Sequence, residues 1–176
     1  AWGEVDVVDC TAAARHLAAV GDVDPDRIVI RGGSAGGMTV LSALCSSDVF
    51  AGGTVLYGVT DLAALATDTH KFESRYLDTL VGPWPEAADV YAARSPVNRL
   101  DRLAAPILVL HGADDRVVPP AQAEAVVAAA ARYGVRHEYR SFAGEGHGFR
   151  QAATIVEALE AELTFYREIL DLGASG

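Results

Sequence analysis

Apolar residues along the chain follow two patterns, one typical of buried strands and one typical of helices. Short runs of β-branched and aliphatic residues predict three strands, at 27–31, 53–59 and 107–111, and an alternating run predicts a fourth at 137–141. Apolar residues at helical spacing predict four long helices, at 4–20, 35–46, 120–133 and 150–170. Because strands and helices alternate, the pattern favours an α/β fold with a parallel sheet.

The pattern is least regular at 61–105, where only short helices are predicted, at 61–66 and 88–93. In a parallel α/β fold such a stretch is expected to lie over a site formed at the strand ends and to shape its specificity. Three of its aromatic residues either line such a site or pack in the core: Phe72, Tyr76 and Trp84. The first long helix carries its apolar residues on one side: Val5, Val8, Ala12 and Leu17.

The segment 32–37, Gly-Gly-Ser-Ala-Gly-Gly, joins the first predicted strand to the second long helix. A strand, a sharp turn and a helix with serine at the apex form the G-x-S-x-G nucleophile elbow. Such a turn strains the serine backbone, and it needs small neighbours because a Cβ would collide with the strand or the helix. The hydroxyl of Ser34 would then rise above the sheet, and the amide of Ala35 would face a substrate oxyanion.

A glycine-rich turn can also join two elements without any chemistry, or it can cradle a phosphate. Two residues argue against a phosphate-binding loop. Met38 stands where a Walker A loop needs lysine, and Ser34 stands where a dinucleotide-binding fingerprint needs glycine. The nucleophile elbow is therefore the preferred interpretation.

An acid and a base follow in the chain, each just after a predicted strand. Asp114 and Asp115 follow the strand 107–111, and His147, between two glycines, follows the strand 137–141. The order serine, acid, histidine is that of α/β-hydrolases, and functional loops of a parallel sheet lie outside the carboxyl ends of its strands. We predict Asp114 as the acid and a solvated or structural role for Asp115, although aspartates also form turns without chemistry. By their positions, the other histidines favour core or surface roles: His16, His70, His111 and His137.

Three motifs together resemble the catalytic domain of the prolyl oligopeptidase family of serine peptidases, and most closely its dipeptidyl aminopeptidase and acylaminoacyl peptidase branch. They are Gly-Gly-Ser-Ala-Gly-Gly (32–37), Asp-Asp-Arg-Val-Val-Pro (114–119) and Gly-Glu-Gly-His-Gly-Phe (144–149). Shorter matches at 2–9, 69–76 and 94–96 extend the resemblance over essentially the whole chain. It implies a three-layer α/β-hydrolase fold with a parallel sheet.

The resemblance also implies roles for single residues. Ser34 would be the nucleophile, Asp114 the acid, His147 the base, and the Ala35 amide one oxyanion donor. Arg116 would be a weaker candidate for contact with substrate. The implied substrate is a peptide, cleaved through an acyl-enzyme, with no metal ion and no organic cofactor.

The chain also departs from the family. Its members carry a β-propeller ahead of the catalytic domain, several early strands of the sheet, and a tyrosine that serves as second oxyanion donor. None of these has a counterpart here, so residues 1–176 are expected to be the C-terminal part of such a catalytic domain. The first strand would then expose an apolar edge, for which we expect self-association.

The net charge and the cysteine content restrict the classes of partner and the cellular compartments that are compatible with the sequence. The net charge is −10, from 24 acidic and 14 basic residues, and no Lys/Arg cluster is present; this argues against nucleic acid and anionic membranes as partners. Cys10 and Cys45 lie in predicted helices, where we expect them to be buried. Two cysteines without a disulfide framework suit a reducing compartment such as the cytoplasm.

Two other functions remain compatible with the sequence. A carboxylesterase or lipase could use the same fold and the same triad, because this chemistry does not select amides over esters. A non-catalytic module with a hydrolase fold is the other alternative, because the second oxyanion donor is missing.

Overall fold

The predicted strands form one parallel sheet in the computed structural model, which describes residues 1–68 and 76–173. The strands of this sheet are β1 (Val29–Gly33), β2 (Gly52–Leu56), β3 (Ile107–Gly112) and β4 (His137–Phe142). They lie side by side in chain order, and each neighbouring pair is parallel. The expected α/β fold with a parallel sheet is therefore confirmed.

Helices cover both faces of this sheet. Those of the described part of the chain are α1 (Val5–Ala19), α2 (Ala35–Ser46), α3 (Leu62–Asp68), α4 (Tyr76–Leu80), α5 (Ala88–Arg94), α6 (Pro120–Arg132) and α7 (Ala152–Ile169). The sequence pattern misses α4 and the 3₁₀ turns at Pro25–Arg27 and Pro96–Arg102. No helix within these residues is both long and apolar enough to cross a bilayer.

The strand β3 shows why the sheet needs cover on both faces. All six of its residues are buried. Ile107 and Val109 join the apolar core beneath α1, α2 and α6, whereas Leu108 and Leu110 join the core beneath α7. Side chains alternate between the two faces of a strand, so a near-continuous apolar run matches a strand buried between two helical layers.

A third apolar cluster lies beyond the carboxyl ends of the strands. It combines Met38 of α2 with Val59, which follows β2, and Val118, which follows β3. Residues of the short helices α3, α4 and α5 complete it: Leu62, Leu77 and Tyr91. The irregular stretch between β2 and β3 therefore does cover the edge of the sheet where the candidate residues lie, as its position in the sequence indicates.

The first helix does not bury the side that its apolar pattern indicates. Val5, Val8 and Leu17 are 51%, 64% and 42% exposed, and the buried residues of α1 are Thr11 and Ala14. The small side chains of Thr11 and Ala14 allow α1 to lie close to α2. The correction extends to Cys10, which is exposed, whereas the prediction of a buried Cys45 is confirmed. Burial raises the pKa of the Cys45 thiol to about 11.

The turn between β1 and α2 brings backbones together more closely than a side chain would allow. A Cβ on Gly32 would lie 2.3 Å from the carbonyl oxygen of Gly36, and a Cβ on Gly37 would lie 2.5 Å from the Cα of Gly58. A Cβ on Gly36 would meet no atom within 4 Å among the described residues outside its own helix. The expected steric need for small residues therefore holds at Gly32 and Gly37, and contact does not explain Gly36.

The neighbouring glycines Gly36 and Gly37 give a matched pair for a stability test. We expect Gly37→Ala to lower the free energy of unfolding by about 1–3 kcal/mol, because its methyl group collides with the Gly58 backbone. Gly36→Ala should leave it unchanged or raise it by up to about 1 kcal/mol, since alanine is the better helix former. Urea unfolding of both variants measures the difference, and equal stabilities would contradict the packing described here.

Candidate active site

Ser34 lies in a strained turn at the carboxyl end of β1. Its φ of 55° and ψ of −119° fall outside the regions that residues with a side chain usually adopt. The Ser34 amide donates to the Leu56 carbonyl at 2.9 Å, and its carbonyl accepts from the amides of Gly37 at 3.0 Å and Val59 at 3.1 Å. The strained turn indicated by the motif is thus present, held by β2 and by the first turn of α2.

His147 reaches Ser34 from the loop after β4. The two are joined by a 2.7 Å hydrogen bond between His147 Nε2 and Ser34 Oγ. Gly148, directly after the histidine, has a φ of +89°, which favours glycine at this position. The ring of Tyr57 packs edge-on against the imidazole, with 5.1 Å between ring centroids. Tyr57 was not among the residues singled out from the sequence, because no motif distinguishes it from other strand-end aromatics.

The carboxylate that meets His147 belongs to Asp115. His147 Nδ1 lies 2.9 Å from Asp115 Oδ2, and the Asp115 side chain is fully buried. Asp114, the acid expected from the sequence, is exposed, and the contact that anchors it is made by its backbone amide, which donates to the Glu145 carbonyl at 2.9 Å. The geometry therefore corrects the predicted position of the acid by one residue.

The turn after β3 explains why Asp115 points inward. Its Oδ1 accepts hydrogen bonds from the amides of Val117 and Val118, both at 2.9 Å, so the carboxylate is held by its own turn. Aspartate commonly forms such local hydrogen bonds to amides two or three residues ahead. The sequence carries no signal for this choice, because each of the two aspartates has a valine three residues after it.

Glu145 fixes the position of the His147 loop. Its side chain is buried and accepts hydrogen bonds from the amides of Arg150 at 2.9 Å and Gln151 at 2.8 Å, at the start of α7. Burial disfavours the charged form of Glu145, but these amides, the Thr154 hydroxyl and the nearby Arg150 charge outweigh it and hold the pKa of the carboxyl below its usual value. The sequence does not indicate this role, since a glutamate between two glycines resembles an exposed loop residue.

The amide of Ala35 is available to an oxyanion. Ala35 is the first residue of α2, and the first amides of a helix have no acceptor within it. The positive end of the helix dipole also lies here. These features make the space beside Ser34 favourable for a developing negative charge.

An apolar pocket of about 380 Å³ opens beside Ser34 and His147. Its apolar lining comes from the elements around the strand ends: Trp2, Val59, Leu65, Leu77, Val117 and Val118. Tyr76 also lines this pocket, whereas Trp84 packs on Tyr91 with 5.0 Å between ring centroids. None of the lining residues that the structure describes is Asp, Glu, Lys or Arg.

Arg116, the weaker candidate for substrate contact, is exposed in the turn after Asp115 and does not line this pocket. Phe72 lies outside the described residues. Across residues 1–68 and 76–173, no group of three or more His, Cys, Asp or Glu side chains is arranged to hold a metal ion.

Comparison with known proteins shows which proteins the chain resembles. Residues 1–173 match the family model described as the prolyl oligopeptidase family. The chain is 29% identical over 147 residues to dipeptidyl aminopeptidase BIII of Pseudoxanthomonas mexicana. This alignment covers 80% of the chain and 21% of that protein. The chain is also 32% identical over 174 residues to esterase LipQ of Mycobacterium tuberculosis. That alignment covers 90% of the chain and 41% of the esterase.

A solved structure gives a further similarity. A puromycin-hydrolyzing peptidase of Mycobacterium tuberculosis superposes with a TM-score of 0.93 at 49% identity, over 96% of this chain and 26% of that one. The α/β-hydrolase fold is thereby shown. The chain spans between about a fifth and two fifths of the length of these proteins.

The two aspartates of the acid turn give a second matched pair. We expect Asp115→Asn to slow the reaction of Ser34 with a fluorophosphonate by about three to four orders of magnitude, because the amide no longer orients and stabilises the protonated imidazole. Asp114→Asn should change the rate by less than about twofold, as an exposed substitution. A larger loss in Asp114→Asn than in Asp115→Asn would contradict the assignment.

Proposed function

The chain belongs to the prolyl oligopeptidase family, and on this basis we propose that Ser34, His147 and Asp115 form the catalytic triad of a serine peptidase. The observation that carries the proposal is the pair of hydrogen bonds through His147, 2.7 Å to Ser34 Oγ and 2.9 Å to Asp115 Oδ2. The nucleophile and the acid are each within hydrogen-bond reach of the base, as an activated serine requires.

In the first half of the reaction, Ser34 Oγ attacks the carbonyl carbon of the scissile amide while His147 Nε2 takes the hydroxyl proton. Asp115, hydrogen-bonded to Nδ1, stabilises the imidazolium that forms. The oxygen of the tetrahedral intermediate accepts a hydrogen bond from the Ala35 amide. His147 then gives the proton to the leaving amine, the carbon–nitrogen bond breaks, and the acyl group remains on Ser34.

In the second half, water replaces the amine. The water oxygen attacks the acyl carbon while His147 takes a proton from the water. His147 then returns that proton to Ser34 Oγ as the ester bond breaks. The carboxylic acid product leaves, and the triad returns to its starting state. A second oxyanion donor would come from outside the residues described here, and the loss of one such donor costs about two to three orders of magnitude in rate.

The pocket favours apolar side chains on the substrate. It is lined mainly by apolar residues and lies directly beside Ser34, so the residue that supplies the acyl group can place its side chain there. An unpaired charge in such a surrounding is costly, which disfavours acidic and basic side chains. The relatives named as a dipeptidyl aminopeptidase and a puromycin-hydrolyzing peptidase support a short peptide or an aminoacyl amide as the substrate.

The proposal is tested first by labelling the purified protein with a fluorophosphonate and locating the adduct by mass spectrometry. We expect the adduct on Ser34, and we expect His147→Ala to abolish it, because the hydroxyl then has no base. Ser34→Ala is the control for labelling elsewhere. A folded protein that is not labelled would contradict the proposal and would favour a non-catalytic module.

An esterase is the second candidate, favoured by the 32% identity to esterase LipQ. The same labelled preparation distinguishes the two activities. A peptidase cleaves aminoacyl-naphthylamides, with apolar residues preferred over charged ones, at rates comparable to those on short p-nitrophenyl esters. An esterase cleaves only the esters, because it does not assist the departure of an amine.

We also propose where the chain lies within a longer protein and in which compartment it acts. The coverage of 21% to 41% of its relatives supports a place within a longer protein. The family resemblance supports a position in the C-terminal part of the catalytic domain and an N-terminal β-propeller in the full-length protein. The free thiols of Cys10 and Cys45 favour a reducing compartment, for which we propose the cytoplasm, testable by cell fractionation.

Self-association follows from one edge of the sheet. Within the described residues, β1 pairs with β2 alone, and its other edge carries unpaired backbone groups. We expect the isolated chain of 176 residues to sediment as dimers or larger species. A concentration-independent monomer in analytical ultracentrifugation would contradict this expectation.

A further inference from the structure

His111, the last residue but one of β3, is buried directly beneath the acid of the proposed triad. Its side chain has no exposed surface. Its Nε2 lies 2.9 Å from the carbonyl oxygen of Val118 and 3.5 Å from Asp115 Oδ2. Its Nδ1 is buried and has no hydrogen-bond partner within the part of the chain that the structure describes. The mechanism described above does not use this side chain.

The contact with Val118 shows which ring nitrogen is the donor. A backbone carbonyl can only accept a hydrogen bond, so Nε2 must carry a proton and donate it. Nε2 is also the ring nitrogen that lies near Asp115.

Val118 connects this histidine to the triad acid twice. The Val118 amide donates to Asp115 Oδ1, and the Val118 carbonyl accepts from His111. Asp115 Oδ2, the oxygen that accepts from His147, lies 3.5 Å from the same Nε2. The imidazole N–H of His111 thus holds the turn that carries the carboxylate.

We propose that His111 is a positioning residue for the triad, which holds Asp115 in the orientation that His147 requires. The inference rests on the proposed function. A purely space-filling role would suit an aliphatic residue, as at Leu108 and Leu110 of the same strand, without the cost of burying an unpaired ring nitrogen. The polar ring is explained by the hydrogen bond that it donates.

The chain offers a matched pair of variants at this position. In His111→Gln the side-chain amide nitrogen is three bonds from Cβ, as Nε2 is in histidine, and it can still donate to Val118. In His111→Asn the nitrogen is only two bonds from Cβ, at the place of Nδ1, and it cannot reach. Both variants bury one amide, so they differ mainly in the position of the donor.

We expect His111→Asn to lower kcat on an aminoacyl-naphthylamide by about tenfold to a hundredfold, as a displaced catalytic group does, with little change in KM. His111→Gln should remain within about threefold of the unchanged protein. Urea unfolding of both variants shows whether they are folded. Equal kcat values in the two folded variants would overturn the proposal, while an unchanged protein that fails to label at Ser34 would overturn the proposed function instead.

A measurement on the unchanged protein does not depend on the folding of any variant. The ¹⁵N NMR shifts of the His111 ring report which nitrogen carries the proton. We expect a hydrogen-bonded proton on Nε2. A ring whose only proton is on Nδ1 would overturn the proposal even if Ser34 is reactive.

Discussion

The first turn of α2 begins in direct backbone contact with β1 and with the turn after β2, and the geometry of Ser34 depends on that contact. No room for a Cβ exists between Gly32 and Gly36 or between Gly37 and Gly58. The Ser34 amide donates to the Leu56 carbonyl, and the Ser34 carbonyl accepts from the amides of Gly37 and Val59. These hydrogen bonds maintain a backbone conformation that would be unfavourable in an isolated turn. The hydroxyl and the neighbouring amide thereby take fixed positions relative to the sheet.

The loops that carry the other two groups are joined in the same way. A Cβ on Gly112 would lie 2.3 Å from the Gly146 carbonyl oxygen, so the end of β3 touches the His147 loop directly. The Asp114 amide bonds to the Glu145 carbonyl, and the Glu145 carboxylate bonds to the start of α7. Backbone contacts and buried hydrogen bonds, rather than flexible surface side chains, hold the site in a preorganised state.

The sequence predicts the sheet and the position of the site well because both depend on strong local signals. Apolar runs locate β1, β2 and β3, an alternating run locates β4, and the glycine turn with serine at its apex directly follows the first of these strands. The choice between Asp114 and Asp115 depends on which way a turn points its side chains, and adjacent residues differ in that respect without any difference in composition. The exposure of Val5 and Val8 depends on how closely α1 approaches α2, which a periodic pattern does not record.

The candidate triad is built from residues that are distant along the chain: Ser34 and His147 are 113 positions apart, and Asp115 and His147 are 32 apart. Parallel strands cannot be paired by a short hairpin, so these contacts close only after long segments have been ordered. Helical structure can form early from local interactions, whereas the hydroxyl of Ser34 meets its base only when β1 and the loop after β4 occupy the same folded structure. Labelling of Ser34 would consequently be a chemical signal of the last stage of folding, and it would distinguish a completed domain from a compact state with the same helix content.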